Sequence, residues 1–138
     1  MFVLDASVAL SWLLPDERND GTQTLFQRLV REAALVPAIW LFETGNALRS
    51  AVRSKRITAE QAWIVADDLL ALPVELDQIG REERLKRALN VALQTGVSIY
   101  DAAYLELSQR RQLPLATLDR RLREACAELN IPVLPDNV

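Results

Sequence analysis

No histidine occurs among the 138 residues of this chain. That removes the imidazole general base, the Ser-His-Asp and Cys-His nucleophilic arrangements, and the usual nitrogen ligand of zinc. Cysteine is almost as scarce: Cys126 stands alone, so no internal disulfide can form. Between Ala125 and Ala127 in a helix-like segment it reads as a small core residue, with no redox or zinc function. Glycine occurs only at positions 21, 45, 80 and 96. There is therefore no G-x-G-x-x-G and no Walker A loop, which excludes dinucleotide and P-loop readings. Long apolar runs are missing too. Phe2-Val3-Leu4 is cut short by Asp5, and nothing approaches the roughly 18 residues of a membrane span, so the expectation is a soluble, cytoplasmic protein with no membrane partner.

Half of the residues are hydrophobic. A chain of this length and composition is expected to form one domain over residues 1–138, burying about 68% of the surface its unfolded form exposes. The net charge of −3 argues against a protein that coats nucleic acid through a general excess of base. Yet four acids, Asp5, Glu43, Asp101 and Asp119, stand beside apolar stretches rather than in solvated charge runs. With those four committed to a site, the remaining acids no longer outnumber the 16 bases, and local basic patches matter more than the total.

Strand-like runs appear at Phe2-Val3-Leu4, Leu35-Val36, Val74-Glu75-Leu76, Leu115-Ala116-Thr117 and Val133-Leu134. Helical periodicity is predicted over about 6–14, 22–33, 39–54, 59–71, 80–95, 99–111 and 120–129, with Pro15, Pro37, Pro73, Pro114 and Pro132 marking breaks or starts. This alternation predicts an α/β fold with a mostly parallel sheet of about five strands. Thr58 and Gln61 have the spacing of a capping box, so 53–57 is expected to join two helices as a hairpin. Trp12, Trp40 and Trp63 sit at helical spacings and are expected in the core, with Trp63 also a candidate for an interface.

In open α/β sheets, ligands bind beyond the carboxyl ends of the strands, near the point where strand order reverses. Asp5 ends the first predicted strand and Asp119 follows the fourth, so both are expected on that rim, with Asp101 brought in by a helix start and Glu43 by a helix face. At about 100° per residue, Trp40, Leu41, Thr44, Ala47, Leu48, Ala51 and Val52 share one face of the 39–54 helix, while Glu43, Asn46 and Ser50 form a polar stripe at its edge. Beyond that stripe, Arg49, Arg53 and Arg56 are candidates to track a phosphate backbone, against the alternative of a solvated basic face.

Three of the acids have structural alternatives as helix caps: Asp5 before Ala6, Asp119 before Arg120, and Asp101 closing a capping box with Ser98. Glu43, in mid-helix beside Phe42, has only a solvated edge as its alternative. Ser7 and Thr117 add hydroxyls that can orient ligands or water, or simply make turn hydrogen bonds. Ser7 as a covalent nucleophile lacks both a histidine and an S-x-x-K lysine to activate it. A cluster of hard carboxylate oxygens suits Mg²⁺ or Mn²⁺.

Four fragments in order, Val3-Leu4-Asp5-Ala6-Ser7, Glu43-Thr44-Gly45-Asn46-Ala47-Leu48, Ser98-Ile99-Tyr100-Asp101-Ala102-Ala103-Tyr104 and Ala116-Thr117-Leu118-Asp119-Arg120-Arg121-Leu122, together resemble the PIN-domain ribonucleases, most closely the VapC-type toxins of toxin–antitoxin pairs. The resemblance implies a PIN-like three-layer α/β/α sandwich. Its carboxyl edge would gather Asp5, Glu43, Asp101 and Asp119 as catalytic and metal-holding residues around Mg²⁺ or Mn²⁺. Ser7, Asn46 and Thr117 would support them. It further implies endonucleolytic cleavage of single-stranded or loop RNA, such as transfer or ribosomal RNA, by a metal-activated water. A cognate antitoxin partner and a homodimer are implied as well. The competing readings are a catalytically silent PIN module that binds RNA or protein, and a different phosphoryl-transfer or receiver fold. The latter lacks its acidic pair after the first strand, because Asp5 stands alone, and the D-x-D alternative meets Ser7 at its third position.

Overall fold

The computed structural model describes residues 1–136; Asn137 and Val138, the last two of the expected domain, lie outside the described residues. Five strands, β1 (Phe2–Leu4), β2 (Ala34–Val36), β3 (Val74–Leu76), β4 (Leu115–Ala116) and β5 (Val133–Leu134), form one sheet in the order β3-β2-β1-β4-β5. Every pairing is parallel, with Val3 opposite both Leu35 and Leu115. A central parallel strand is covered on both faces and is therefore apolar throughout rather than alternating. Phe2, Val3 and Leu4 are accordingly fully buried, whereas edge strand β3 exposes Glu75 and Leu76.

The helices are α1 (Ala6–Leu13), α2 (Asp20–Arg28), α3 (Ile39–Arg53), α4 (Ala59–Ala71), α5 (Arg81–Thr95), α6 (Ile99–Arg111) and α7 (Arg120–Glu128). They form two packed groups, α1 with α2, α3 and α4, and α6 with α5 and α7, which gives the expected α/β/α layering. From β1 the chain steps outward through β2 to β3, then returns to place β4 on the other flank of β1. The order thus reverses between β1 and β4, where an open α/β sheet leaves a crevice.

Several boundaries differ from expectation for local reasons. Helix α2 begins two residues earlier than 22, because the Asn19 side chain accepts the Thr22 amide at 3.2 Å and caps it. It ends at Arg28 rather than 33: Leu29, Val30 and Arg31 donate to carbonyls only three residues back, and the chain tightens into a turn. A short 3₁₀ turn at Pro15–Glu17 was not expected. The α3–α4 hairpin and its capping box are present, with Gln61 N–H donating to Thr58 Oγ1 and Thr58 N–H to Gln61 Oε1. Trp40 is buried, but Trp63 is 74% exposed and outside the core, beside exposed Ile64. Leu41 is also on the outside rather than on the buried face of α3, next to exposed Phe42. Cys126 is buried as expected, and burial pushes its thiol up to about 11, away from thiolate reactivity.

Beyond β3, buried Asp77 receives Arg110 from the end of α6 at 2.5 and 3.2 Å, and Arg110 also binds Glu106 at 2.7 Å. Arg84 of α5 donates to the Asp77 carbonyl at 3.2 Å. This ion cluster fixes α5 and α6 against the edge of the sheet, and so fixes the axis of the helix that carries Asp101.

Candidate active site

Asp5 lies at the strand-order reversal. Its amide donates to Ala116 O at 3.0 Å, so it continues the β1–β4 ladder by one residue before α1 begins. It occupies the N-cap position of α1, yet its side chain makes no capping hydrogen bond. Instead, Asp5 Oδ2 accepts from Ser7 Oγ at 2.6 Å and from Thr117 Oγ1 at 2.7 Å. The same two hydroxyls accept in turn from the amides of Leu118 and Asp119, each at 3.0 Å. Two hydroxyls therefore stitch the β1–α1 junction to the β4–α7 junction and aim the carboxylate between them. Asp5 is only 6% exposed. Burial pushes its pKa up, the Ser7 and Thr117 hydroxyls pull it down, and the charge of Asp119 pushes it up again.

The other acids approach from three helices. Ser98 caps α6 by accepting the Asp101 amide at 3.1 Å, but the reciprocal half of a capping box is not formed, and the Asp101 carboxylate accepts no hydrogen bond among the described residues. Its pKa is raised by burial first, then by the charges of Asp119 and Asp5, with Arg121 opposing. Glu43, half-buried on α3, receives the Tyr104 hydroxyl on Oε1 at 2.5 Å. Burial raises its pKa, the Tyr104 hydrogen bond lowers it, and Asp5, Asp101 and Asp119 all raise it further. Only Asp119 acts as a cap: its Oδ1 accepts from the amides of Arg121 and Leu122 at 2.8 and 3.2 Å. The four acids thus feel one another's charge at the crevice, and one structural alternative of three, that of Asp119, is realised.

Asn46 and Arg49 are exposed on α3, and Arg53 is exposed at its end. Arg56 differs from the other two arginines, because Asp16 of the 3₁₀ turn holds its guanidinium at 2.6 and 3.0 Å and Glu17 adds a contact at 3.2 Å. A phosphate would have to displace both acids. Tyr104 was missed as a site residue. Its signal was its spacing, three residues after Asp101 and hence on the same helix face. Beside Asp101 opens a polar cleft of about 280 Å³, with Gly96, Ser98, Arg121, Glu124 and Glu128 among its walls.

The donor set is all hard oxygen, with no nitrogen or sulfur ligand in reach of the carboxylates, which suits Mg²⁺ or Mn²⁺ and not zinc. Glu43 Oε2, Asp119 Oδ2 and both Asp101 oxygens accept no hydrogen bond among the described residues, and Ser7 and Thr117 both bond Asp5 through Oδ2, so each acid has an oxygen to offer a cation. As placed, no three acids of the described residues stand in a grouping that would hold one ion.

A family model described as the PIN domain matches residues 2–128. This chain belongs to the PIN-domain family. The PIN chain is 31% identical over 132 residues to Ribonuclease VapC3 of Pyrobaculum aerophilum, a match covering 94% of this chain and 98% of that protein. It is 31% identical over 127 residues to Ribonuclease VapC12 of Mycobacterium tuberculosis, covering 91% and 92%. The VapC-type resemblance of the four fragments is borne out by these relatives. In fold, the PIN chain is similar to the crystal structure of PAE2754 from Pyrobaculum aerophilum, with a TM-score of 0.70 at 22% identity, over 90% of this chain and 83% of that one.

Proposed function

We propose that this PIN chain, acting as one domain over 1–138, is a Mg²⁺- or Mn²⁺-dependent endoribonuclease toxin of the VapC type. It cleaves single-stranded or loop RNA in the cytoplasm and is neutralised by a cognate antitoxin. The observation that carries the reading is Asp5: a buried carboxylate at the strand-order reversal, oriented by two hydroxyls instead of capping its helix, and facing three further acids. Relatives named ribonucleases over nearly their whole length support the reaction class. Among the described residues no helix is long and apolar enough to cross a membrane.

In this reading Asp5, Glu43, Asp101 and Asp119 hold the cation, which when bound lowers the pKa of water and offsets charge on the phosphate. Ser7 and Thr117 fix the direction of Asp5. Arg49 and Arg53 contact the RNA backbone from the free edge of α3, and Asn46 lies one turn from Glu43 on the same edge. The acidic crevice attracts a basic segment, which is the chemistry an inhibitory antitoxin would present. A homodimer completes the proposal, and Leu85, Leu89 and Leu93 offer an exposed apolar row on α5 for such a contact.

The test is Mn²⁺-dependent cleavage of labelled structured RNAs by the native protein, Asp5→Asn and Asp101→Asn. Cutting lost in both folded variants supports the nuclease. A silent PIN module is the second reading, favoured by the open placement of the acids. Native protein that binds Mn²⁺ but cuts no RNA in a broad panel selects it.

A further inference from the structure

We propose that Tyr104 is a positioning residue of the acidic site, whose hydroxyl holds Glu43 so that one carboxylate oxygen stays directed to the divalent cation; this rests on the metal-dependent reading above. Tyr104 is among the largest fully buried side chains, at 0% exposure. A buried phenol needs a partner for its O–H. The partner here is a carboxylate 61 residues away on α3, rather than a nearby carbonyl. If Tyr104 served packing alone, a phenylalanine would fill the same space without a polar atom to satisfy.

The geometry links Tyr104 to three of the acid-bearing elements. Tyr104 sits three residues beyond Asp101 on α6, about 4.5 Å along the axis. Helix α6, which carries it, packs against β1, the strand that leads into Asp5. The Tyr104 O–H is donated to Glu43 Oε1 of α3. Glu43 has a long side chain with several rotamers, and this is its one side-chain hydrogen bond among the described residues. Without it, no hydrogen bond among the described residues selects a rotamer for Glu43 or leaves Oε2 as the oxygen free for a cation. Partners that orient a ligating carboxylate typically matter about 10–100-fold in metal affinity.

The experiment titrates Mn²⁺ alone by calorimetry into the full-length wild type, Tyr104→Phe, Glu43→Ala and the double variant, with circular dichroism confirming the fold. Tyr104→Phe is expected to bind Mn²⁺ about 10–100-fold more weakly, and the double variant no more weakly than Glu43→Ala. The chain has only two tyrosines, so ¹³Cζ-tyrosine NMR of the wild type, assigned with Tyr100→Phe, follows Tyr104 directly. Its resonance should move with the midpoint of Mg²⁺ binding. Undiminished affinity in Tyr104→Phe, or a full further loss on top of Glu43→Ala, overturns the positioning role while leaving the metal reading intact. Should Tyr104→Phe not fold, a wild-type Tyr104 resonance indifferent to saturating Mg²⁺ overturns it equally. Wild type that binds no Mn²⁺ overturns the metal reading, and the positioning role with it.

Discussion

Replacing Thr117 by valine keeps the shape of a fully buried side chain and deletes one of the two donors to Asp5 Oδ2. A hydrogen bond to a charged group contributes about 1.5–3 kcal/mol. Against that, the new methyl group returns about 0.8 kcal/mol of apolar burial. The Asp119 amide, which also loses its acceptor, lies at an exposed residue where water replaces the bond. The net cost is therefore about 1–2 kcal/mol, or roughly 3–8 °C in Tm for a chain of this size. Its pH dependence is the sharper test. Burial holds the Asp5 carboxyl above its ordinary value of 3.8 in the folded state. Its contribution to stability is therefore full below that value and is lost as pH rises through the folded-state pKa. Deleting a donor that favours the ionised form pushes the folded pKa higher still, so the deficit of Thr117→Val is largest where Asp5 is ionised in both proteins. It shrinks as pH falls and Asp5 takes up its proton. Thermal and urea unfolding in EDTA at about pH 7.5 and at a pH close to 3.8, the ordinary value that the folded Asp5 lies above, read this directly. A deficit that is equal at both pH values, or larger in acid, refutes the argument that Thr117 acts on the Asp5 charge.

Asp5→Asn removes a charge that burial opposes, so in EDTA it should be as stable as the wild type or melt a few degrees higher, while any Mn²⁺-induced rise in Tm disappears; differential scanning fluorimetry with and without metal checks both halves. Arg110→Met strands the buried acids Asp77 and Glu106, and should cost about 3–5 kcal/mol in urea unfolding. Arg49→Ala and Arg53→Ala should each weaken RNA binding and reduce the salt slope of log K by about 1, leaving stability unchanged; binding titrations at several salt concentrations decide it.

Element types were largely legible because the strands are short, apolar and punctuated by proline, and because long helices carry a strong period. What escaped were features decided by partners distant in sequence. The 3₁₀ turn at Pro15–Glu17 supplies Asp16 to Arg56, 40 residues away, and local pattern says nothing of that pairing. Trp63 satisfies the helical period of α4 but faces out, since periodicity reports a shared face and not which side the core occupies. At the site, Asp5 and Asp119 read as N-caps and Asp101 as the far member of a capping box, and only the positions of the facing hydroxyls and amides separate them: Asp119 caps, Asp5 turns to Ser7 and Thr117, and the Asp101 carboxylate is left free. Tyr104 drew no assignment, because the acceptor of its hydroxyl comes from another helix.

The hydroxyl stitch between Asp5 and Thr117 joins residues 112 positions apart, and this sets when the crevice can exist during synthesis. Asp5 emerges from the ribosome 112 residues ahead of Thr117, so strand β4 and the threonine that orients this acid follow long after it. Until then β1 lacks one of its two neighbours, and Asp5 lacks the β4–α7 junction that brings it Thr117. A contact of such long sequence separation closes late, after the loop entropy of the intervening chain has been overcome. Nascent chains and fragments truncated before residue 115 therefore lack the assembled acid cluster, and for the proposed nuclease this confines competence to polypeptides that already include β4 and the start of α7.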